Sequence, residues 1–232
     1  MNKIEVLKAE KDGLDIKESL ARYAESGWES IPEDDIQRLK WYGIFLRNPT
    51  PGFFMVRVRI PGGHTTMDQM RSLARIAKAY GNGVLDLTTR QQIQLRHLKI
   101  DHVPEVFRQL EEAGLSSLQT GMDNVRNIMN CPVAGLTPQE TVDATDLVQR
   151  VTSEVTGNRA YSNLPRKFNM AITGCPDNCL HLETQDLALV PASLDSPEGV
   201  VAGFNILAGG KLGSGGYRIA KNMDVFVNPM EV

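Results

Sequence analysis

From Phe53 the chain alternates. Phe54, Val56, Val58 and Ile60 fall on one face and Met55, Arg57 and Arg59 on the other, the period of two that a strand requires. Pro61-Gly62-Gly63 then turns the chain, and Thr66 with Gln69 makes a capping box at the head of a helix carrying Met70, Leu73, Ala74 and Ala77 at helical spacing. Gly81 and Gly83 close it. Two strands are predicted next, Val84 to Leu87 and Gln92 to Leu98, followed by a helix that Pro104 enters and that carries Val106, Phe107 and Leu110. After Gly114, Leu115 to Gln119 reads as a closing strand. Strand, helix, strand, strand, helix, strand over residues 53–119 is the split βαβ, ferredoxin-like pattern, which names a fold and not a function.

Residues 1–48 read as a charged, mostly helical leader, with Ile31-Pro32-Glu33-Asp34-Asp35 as a helix start, and Asn48-Pro49-Thr50-Pro51-Gly52 marks a boundary. Beyond residue 120, Thr137-Pro138-Gln139-Glu140 predicts a helix running to about Val155, ended by Gly157-Asn158. Strands are expected over Lys167 to Ile172, Asp186 to Val190 and Val201 to Leu207, and the run Gly209 to Gly216, Ser214 included, reads as a loop able to wrap an anion, a flexible connection being the more usual reading. Asn228-Pro229-Met230-Glu231 has the look of a helix start cut short, so a truncated longer protein is expected. The predicted class is α+β: a leader over 1–48, a ferredoxin-like domain over 49–120 and an α/β domain over 121–232.

Composition narrows the field. With 25 Lys plus Arg against 28 Asp plus Glu, the net charge of −3 gives no general attraction to nucleic acid, so any anion site must be local. No stretch reaches the ~20 apolar residues of a spanning helix, the N-terminus lacks a signal-peptide core, and the cytoplasm is the expected location. Three cysteines, Cys131, Cys175 and Cys179, are too few and too odd in number for a disulfide framework.

The candidate chemistry is cationic. In Thr88-Thr89-Arg90-Gln91-Gln92-Ile93-Gln94-Leu95-Arg96 the strand period puts Gln92, Gln94 and Arg96 on one side, turns Ile93 and Leu95 to the core, and leaves Arg90 at the strand mouth. Guanidinium forks beside neutral amides suit carboxylates and small oxyanions, a merely solvated face being the plainer alternative. A polar loop, Gly121-Met122-Asp123-Asn124-Val125-Arg126-Asn127, carries one arginine, and Asn163-Leu164-Pro165-Arg166-Lys167-Phe168-Asn169 leads into a strand with Lys167 and Asn169 on one face.

These motifs in this order, Thr-Thr-Arg-Gln at 88–91, Asp-Asn-Val-Arg-Asn at 123–127 and Leu-Pro-Arg-Lys-Phe-Asn at 164–169, resemble the substrate-side motifs of the siroheme-dependent nitrite and sulfite reductases. The likeness is to the N-terminal half of ferredoxin-dependent nitrite reductases and runs from about residue 30 to the C-terminus, through Gly-Gly-Lys-Leu-Gly at 209–213. It implies an oxidoreductase that reduces nitrite to ammonia with electrons from reduced ferredoxin, at a siroheme whose iron is bridged to a [4Fe-4S] cluster. By the same resemblance Arg90, Arg126 and Lys167 face nitrite, while Arg57, Thr89, Gln92, Gln94, Arg96, Asn127 and Asn169 serve the siroheme rim. Sulfite reductases of this kind tend to carry a lysine where this chain has Asn169, so the neutral amide points to nitrite.

The cysteines depart from the full pattern. The family's cluster ligands form a C-x5-C and a C-x3-C pair in the second half. Cys175-Pro176-Asp177-Asn178-Cys179 mimics only the latter and lies 44 positions after Cys131. It reads as a non-ligand counterpart, with the cluster ligands in a missing C-terminal half and the half-chain inactive alone; Cys175 and Cys179 as metal ligands are the lesser alternative. His64, His97, His102 and His181 add no ligand spacing beyond a lone Cys179–His181 pair. Other readings are a tetrapyrrole-binding module without redox chemistry, a sulfite-reductase half, a relative acting in corrinoid synthesis, and a small iron–sulfur electron-transfer protein.

Overall fold

A computed structural model describes residues 2–197, 199–213, 215–230 and 232, which divide into two units. The first comprises residues 1–60, 64–124 and 156–167, and the second residues 61–63, 125–155 and 168–232.

In the first unit the N-terminal segment forms α1 (Lys3–Glu10), α2 (Leu20–Ser26) and α3 (Glu33–Arg38), and then β1 (Ile44–Leu46). The split βαβ pattern follows as β2 (Phe54–Val58), α4 (Met67–Tyr80), β3 (Leu85–Leu87), β4 (Ile93–Leu98) and α5 (Val103–Glu112). The Thr66/Gln69 capping box is formed in both directions and Pro104 sits in the first turn of α5, both as their sequences require. The sheet order is β1-β2-β4-β3, antiparallel throughout.

Its edge differs from expectation. Leu115 to Gln119 contributes only one bridge, Ser116 to Arg59, and β1, from within the predicted leader, pairs with β2 instead. Gly43 enables this: its left-handed φ of 70° and a built Cβ only 2.4 Å from Thr120 Oγ1 admit no side chain, and the short apolar run after it pairs with Phe54–Val56. Nor is the leader separate from the sheet, since Ile16, Leu20, Tyr23, Ile31, Leu39 and Ile44 share one core with Phe54, Val56, Val58, Ile93 and Leu95. A buried polar knot ties the leader together. Tyr23 donates to Asp35, and Arg38 donates to Asp35 Oδ1 at 2.8 Å and to the Leu7 carbonyl at 3.0 Å.

The second unit contains α6 (Thr145–Val155) and a sheet of β5 (Met170–Ile172), β6 (Leu187–Ser196), β7 (Gly199–Ala208) and, after the hairpin β8 (Lys211–Gly213) with β9 (Gly216–Arg218), β10 (Lys221–Val227). The order is β10-β7-β6-β5, with β5 and β6 parallel and the rest antiparallel. Segment 125–129 runs parallel beside β5 through bridges Val125–Phe168 and Met129–Ala171.

Three expectations change here. The helix predicted from Thr137 begins at Thr145, because Thr141 spends its amide and hydroxyl on the Gly174 carbonyl, at 2.9 and 3.1 Å, which holds the preceding segment against residue 174. The strand predicted from Lys167 begins at Met170. The glycine-rich run is a hairpin where a loop was expected: Lys211 Nζ donates to the Gly215 carbonyl at 3.0 Å, while Ser214 lies outside the described residues. At the C-terminal end Asn228 Oδ1 accepts from the Met230 amide at 3.0 Å, a turn; Glu231 is likewise outside the described residues.

Two predictions follow from this packing. A Cβ on Gly174 would lie 1.5 Å from the Val142 carbonyl oxygen, so Gly174→Ala should destabilise the protein by about 3 kcal/mol or more in urea titration, and an unchanged midpoint would refute the contact. Burial alone would raise the Asp35 carboxyl, but the hydrogen bonds from Tyr23 and Arg38 outweigh it and hold the group below its ordinary value of 3.8. A depressed folded-state pKa stabilises above the unfolded value and is lost as pH falls through the folded one. Asp35→Asn should therefore cost about 3 kcal/mol at pH 7 and flatten the loss of stability below about pH 4, read from stability profiles of the two proteins.

Candidate anion-binding face

β2 and β4 of the first unit decide the site's geometry. Their apolar positions, Val56, Val58, Ile93 and Leu95, are sealed in the core, so the alternate positions must share the opposite face. Arg57 pairs in register with Gln94, and Gln94 with Asp86 across the next strand, with Gln92 and Arg96 flanking Gln94 on the same side. Thr88 builds the turn that delivers Arg90: its Oγ1 accepts from the Arg90 and Gln92 amides at 3.3 and 3.1 Å, its amide donates to the Gln92 carbonyl, and Gln91 takes a left-handed φ of 55°.

Positive charge accumulates on this face. Burial lowers the Arg57 guanidinium from its usual pKa, and the neighbouring charges of Arg96 and Arg90 lower it further. Arg57 lies over the Phe45 ring at 4.6 Å and donates Nη1 to the Thr120 carbonyl at 3.2 Å, while its buried Nε has no hydrogen-bond partner among the described residues. Gln92, 2% exposed, likewise leaves Nε2 without one. Arg96 is ion-paired to Asp86. Unspent, buried donors beside mutually repelling cations are a face that favours an anion carrying several acceptor oxygens.

Arg57 and Arg59, which the strand period puts on one face, have different roles. Arg59 is buried, with its pKa lowered by burial to about 10, and its guanidinium donates to the Leu118 carbonyl at 3.3 Å and the Gln119 carbonyl at 3.1 Å. It fastens the chain beside the sheet. Thr89 is exposed at the tip of the Thr88 turn.

Lys167 also belongs to the first unit, half-buried at the end of segment 156–167. That segment is anchored by polar groups: Ser162 Oγ donates to Asn124 Oδ1 at 2.9 Å, the Leu164 amide donates to the Asp123 carbonyl at 2.8 Å, and Lys8 Nζ reaches the Leu164 carbonyl at 2.9 Å and Asp123 at 3.2 Å.

In the second unit the parallel run beside β5 brings Arg126, Asn127 and Asn169 onto neighbouring segments. The Arg126 amide donates to the Phe168 carbonyl at 2.8 Å. Asn127 is buried. Asn169 is 8% exposed, has its amide fixed by Asp186 at 2.8 Å, and leaves Oδ1 without a hydrogen-bond partner among the described residues. Cys131 and Cys175 are buried and Cys179 is exposed; no group of three or more His, Cys, Asp or Glu side chains among the described residues is placed to hold a metal ion.

Comparison with known proteins gives this arrangement a family. Residues 47–113 match the nitrite/sulfite reductase ferredoxin-like half domain and residues 121–232 the nitrite and sulphite reductase 4Fe-4S domain. The chain belongs to the nitrite and sulfite reductase family. It is similar to a protein named ferredoxin–nitrite reductase from Leptolyngbya laminosa, 45% identical over all of this chain and 46% of that protein, and to one of the same name from Synechococcus elongatus, 46% identical over 90% of this chain and 41% of that one. The solved structure of the Mycobacterium tuberculosis NirA protein matches 97% of this chain and 43% of its own at a TM-score of 0.87 and 27% identity. The chain thus spans less than half the length of these relatives.

Several residues of this family member's polar face escaped the sequence reading. Asp86 was legible as the alternate position of its short strand. Phe45 was obscured because a three-residue strand beside helical segments carries little periodicity, although Gly43 before it was a signal. Thr120 acts through its carbonyl, which no side-chain pattern reveals. The division of labour between Arg57 on β2 and Arg59 just beyond it yields a prediction. Arg59→Met should destabilise the fold by about 2–3 kcal/mol, because two buried carbonyls lose their donor, whereas Arg57→Met should change stability by less than about 1 kcal/mol. Chemical denaturation of both variants checks it, and equal effects would contradict the assigned roles.

Proposed function

We propose that this chain is the N-terminal half of an assimilatory, ferredoxin-dependent nitrite reductase, and that its first-unit polar face binds the carboxylate rim of siroheme. The observation that carries the proposal is the set of buried donors without a hydrogen-bond partner among the described residues, Arg57 Nε and Gln92 Nε2, on one face with Gln94, Arg90 and Arg96. That donor set fits a ring edged with carboxylates, since guanidinium and amide groups match carboxylate oxygens in charge and geometry. When bound, siroheme coupled to a [4Fe-4S] cluster supplies the redox chemistry for the six-electron reduction of nitrite to ammonium. The cluster does not fit this chain's described residues, which offer no metal-holding group, and we assign its ligands to the C-terminal half.

The chain's own residues then have separable tasks. Arg57, Gln92, Gln94 and Arg96 orient the ring by its carboxylates, with Thr89 at the rim, and neutralising those carboxylates relieves the repulsion among the arginines. Arg90 is directed by the rigid Thr88 turn and attracts nitrite as a fixed cation. Lys167, on its anchored segment, adds a compact charge and a transferable proton as oxygen leaves the substrate nitrogen. Arg126 is assigned to nitrite, and Asn127 and Asn169 to the ring, on the strength of their motifs. The neutral Asn169 favours nitrite over the more highly charged sulfite.

Steady-state turnover of the complete two-half polypeptide with reduced ferredoxin tests the assignment. Lys167→Ala should lower nitrite turnover by about 100-fold while leaving siroheme content unchanged. Unchanged turnover would remove Lys167 from the active site, and loss of siroheme in parallel with turnover would make it a ring ligand instead.

A further inference from the structure

The function proposed above uses none of the three cysteines, yet the second unit gathers them. Parallel pairing of segment 125–129 with β5 carries Cys131 past the end of β5, where Cys175 follows, and the two thiols pack with Ala134 in a small buried cluster. Cys131 is 2% exposed and Cys175 1%. Cys179, four residues further on, is exposed and close enough for its charge to act on Cys131. Burial pushes the Cys131 thiol up, the Val133 backbone opposes this, and Cys175 adds to the rise, so Cys131 is no first target for an oxidant. Gly174 and its contact with Val142 fix the backbone next to Cys175.

We propose that Cys131 and Cys175 form a dithiol that closes into a disulfide when hydrogen peroxide oxidises the solvent-facing Cys179. The Cys179 thiolate attacks the peroxide, breaking its O–O bond and giving Cys179 sulfenic acid and one water. Cys131 then attacks the sulfenic sulfur and displaces the second water to form a Cys131–Cys179 disulfide. Cys175 then attacks the Cys131 sulfur and releases Cys179 as a thiol. Two thiols and one hydrogen peroxide become one disulfide and two waters, a two-electron oxidation that leaves Cys179 ready to act again. The bond ties the segment carrying Arg126 and Asn127 to the chain that follows Asn169. Control of those residues by it rests on the proposed function; the disulfide itself does not.

The test uses this chain as it stands. Fully reduced protein is treated with hydrogen peroxide, alkylated under denaturing conditions, digested without reductant and mapped by mass spectrometry. The expected product is a Cys131–Cys175 linked peptide with Cys179 alkylated. Cys175→Ser should stop at a Cys131–Cys179 link, and Cys179→Ser should slow the Cys131–Cys175 bond at least about tenfold. Three alkylated cysteines, or an intermolecular Cys179 bridge alone, would overturn the pair, and an undiminished rate in Cys179→Ser would overturn the entry at Cys179. Mapping of the unsubstituted chain decides the pair even if a variant fails to fold.

Discussion

Like charge confined to one face of a small antiparallel sheet is the constraint on which the functional reading depends. Sealing Val56, Val58, Ile93 and Leu95 in the core leaves the backbone no choice about where Arg57, Gln94 and Arg96 go. The Thr88 turn then adds Arg90 to a face whose compensating groups include the Asp86 carboxylate, the Thr120 carbonyl and the Phe45 ring. Arg57 answers by losing affinity for its own proton. Such an arrangement is unfavourable for a protein without a ligand and favourable for one that meets a polyanion, because each carboxylate bound offsets a repulsion the fold has already built in.

The rest of the first unit supports that face. Arg59 lies two residues after Arg57, just past the end of β2, yet it is committed to the Leu118 and Gln119 carbonyls, and those residues lead to Thr120 and Asn124. From Asn124 the hydrogen bonds run through Ser162 to the segment that ends at Lys167. The leader is part of this scaffold: Phe45 stacks beneath Arg57, and Lys8 on α1 holds Asp123 and the Leu164 carbonyl. The side chains of this face are thus held by buried polar contacts to backbone, which fix position more closely than apolar packing alone.

Much of this was legible in the sequence wherever a period or a cap carried it. The alternation of residues 54–60, the Thr66 capping box and the sides taken by residues 92–96 all follow from local chemistry, and so they agree with the structure. What was hidden depends on contacts between distant segments. The edge strand at Ile44–Leu46 exists because Phe54–Val56 is there to pair with it. The Thr137 cap signal loses to Gly174, which takes the Thr141 donors from 33 residues away. The glycine-rich run, read for its composition, folds as a hairpin. Arginine roles could not be separated by type, since only the positions of the carbonyls distinguish Arg59 from Arg57.

The central claim is that the polar face of this chain is built for a carboxylate-edged tetrapyrrole. The direct measurement is the absorbance spectrum and iron content of the chain purified from cells supplied with siroheme, compared with a variant in which Arg57 and Arg96 are both replaced by Met. A siroheme spectrum with about one iron per chain, lost in the double variant while the fold is retained, is the result the charge arrangement predicts. An identical siroheme content in both proteins would contradict it, because the ring would then be held by something other than this face.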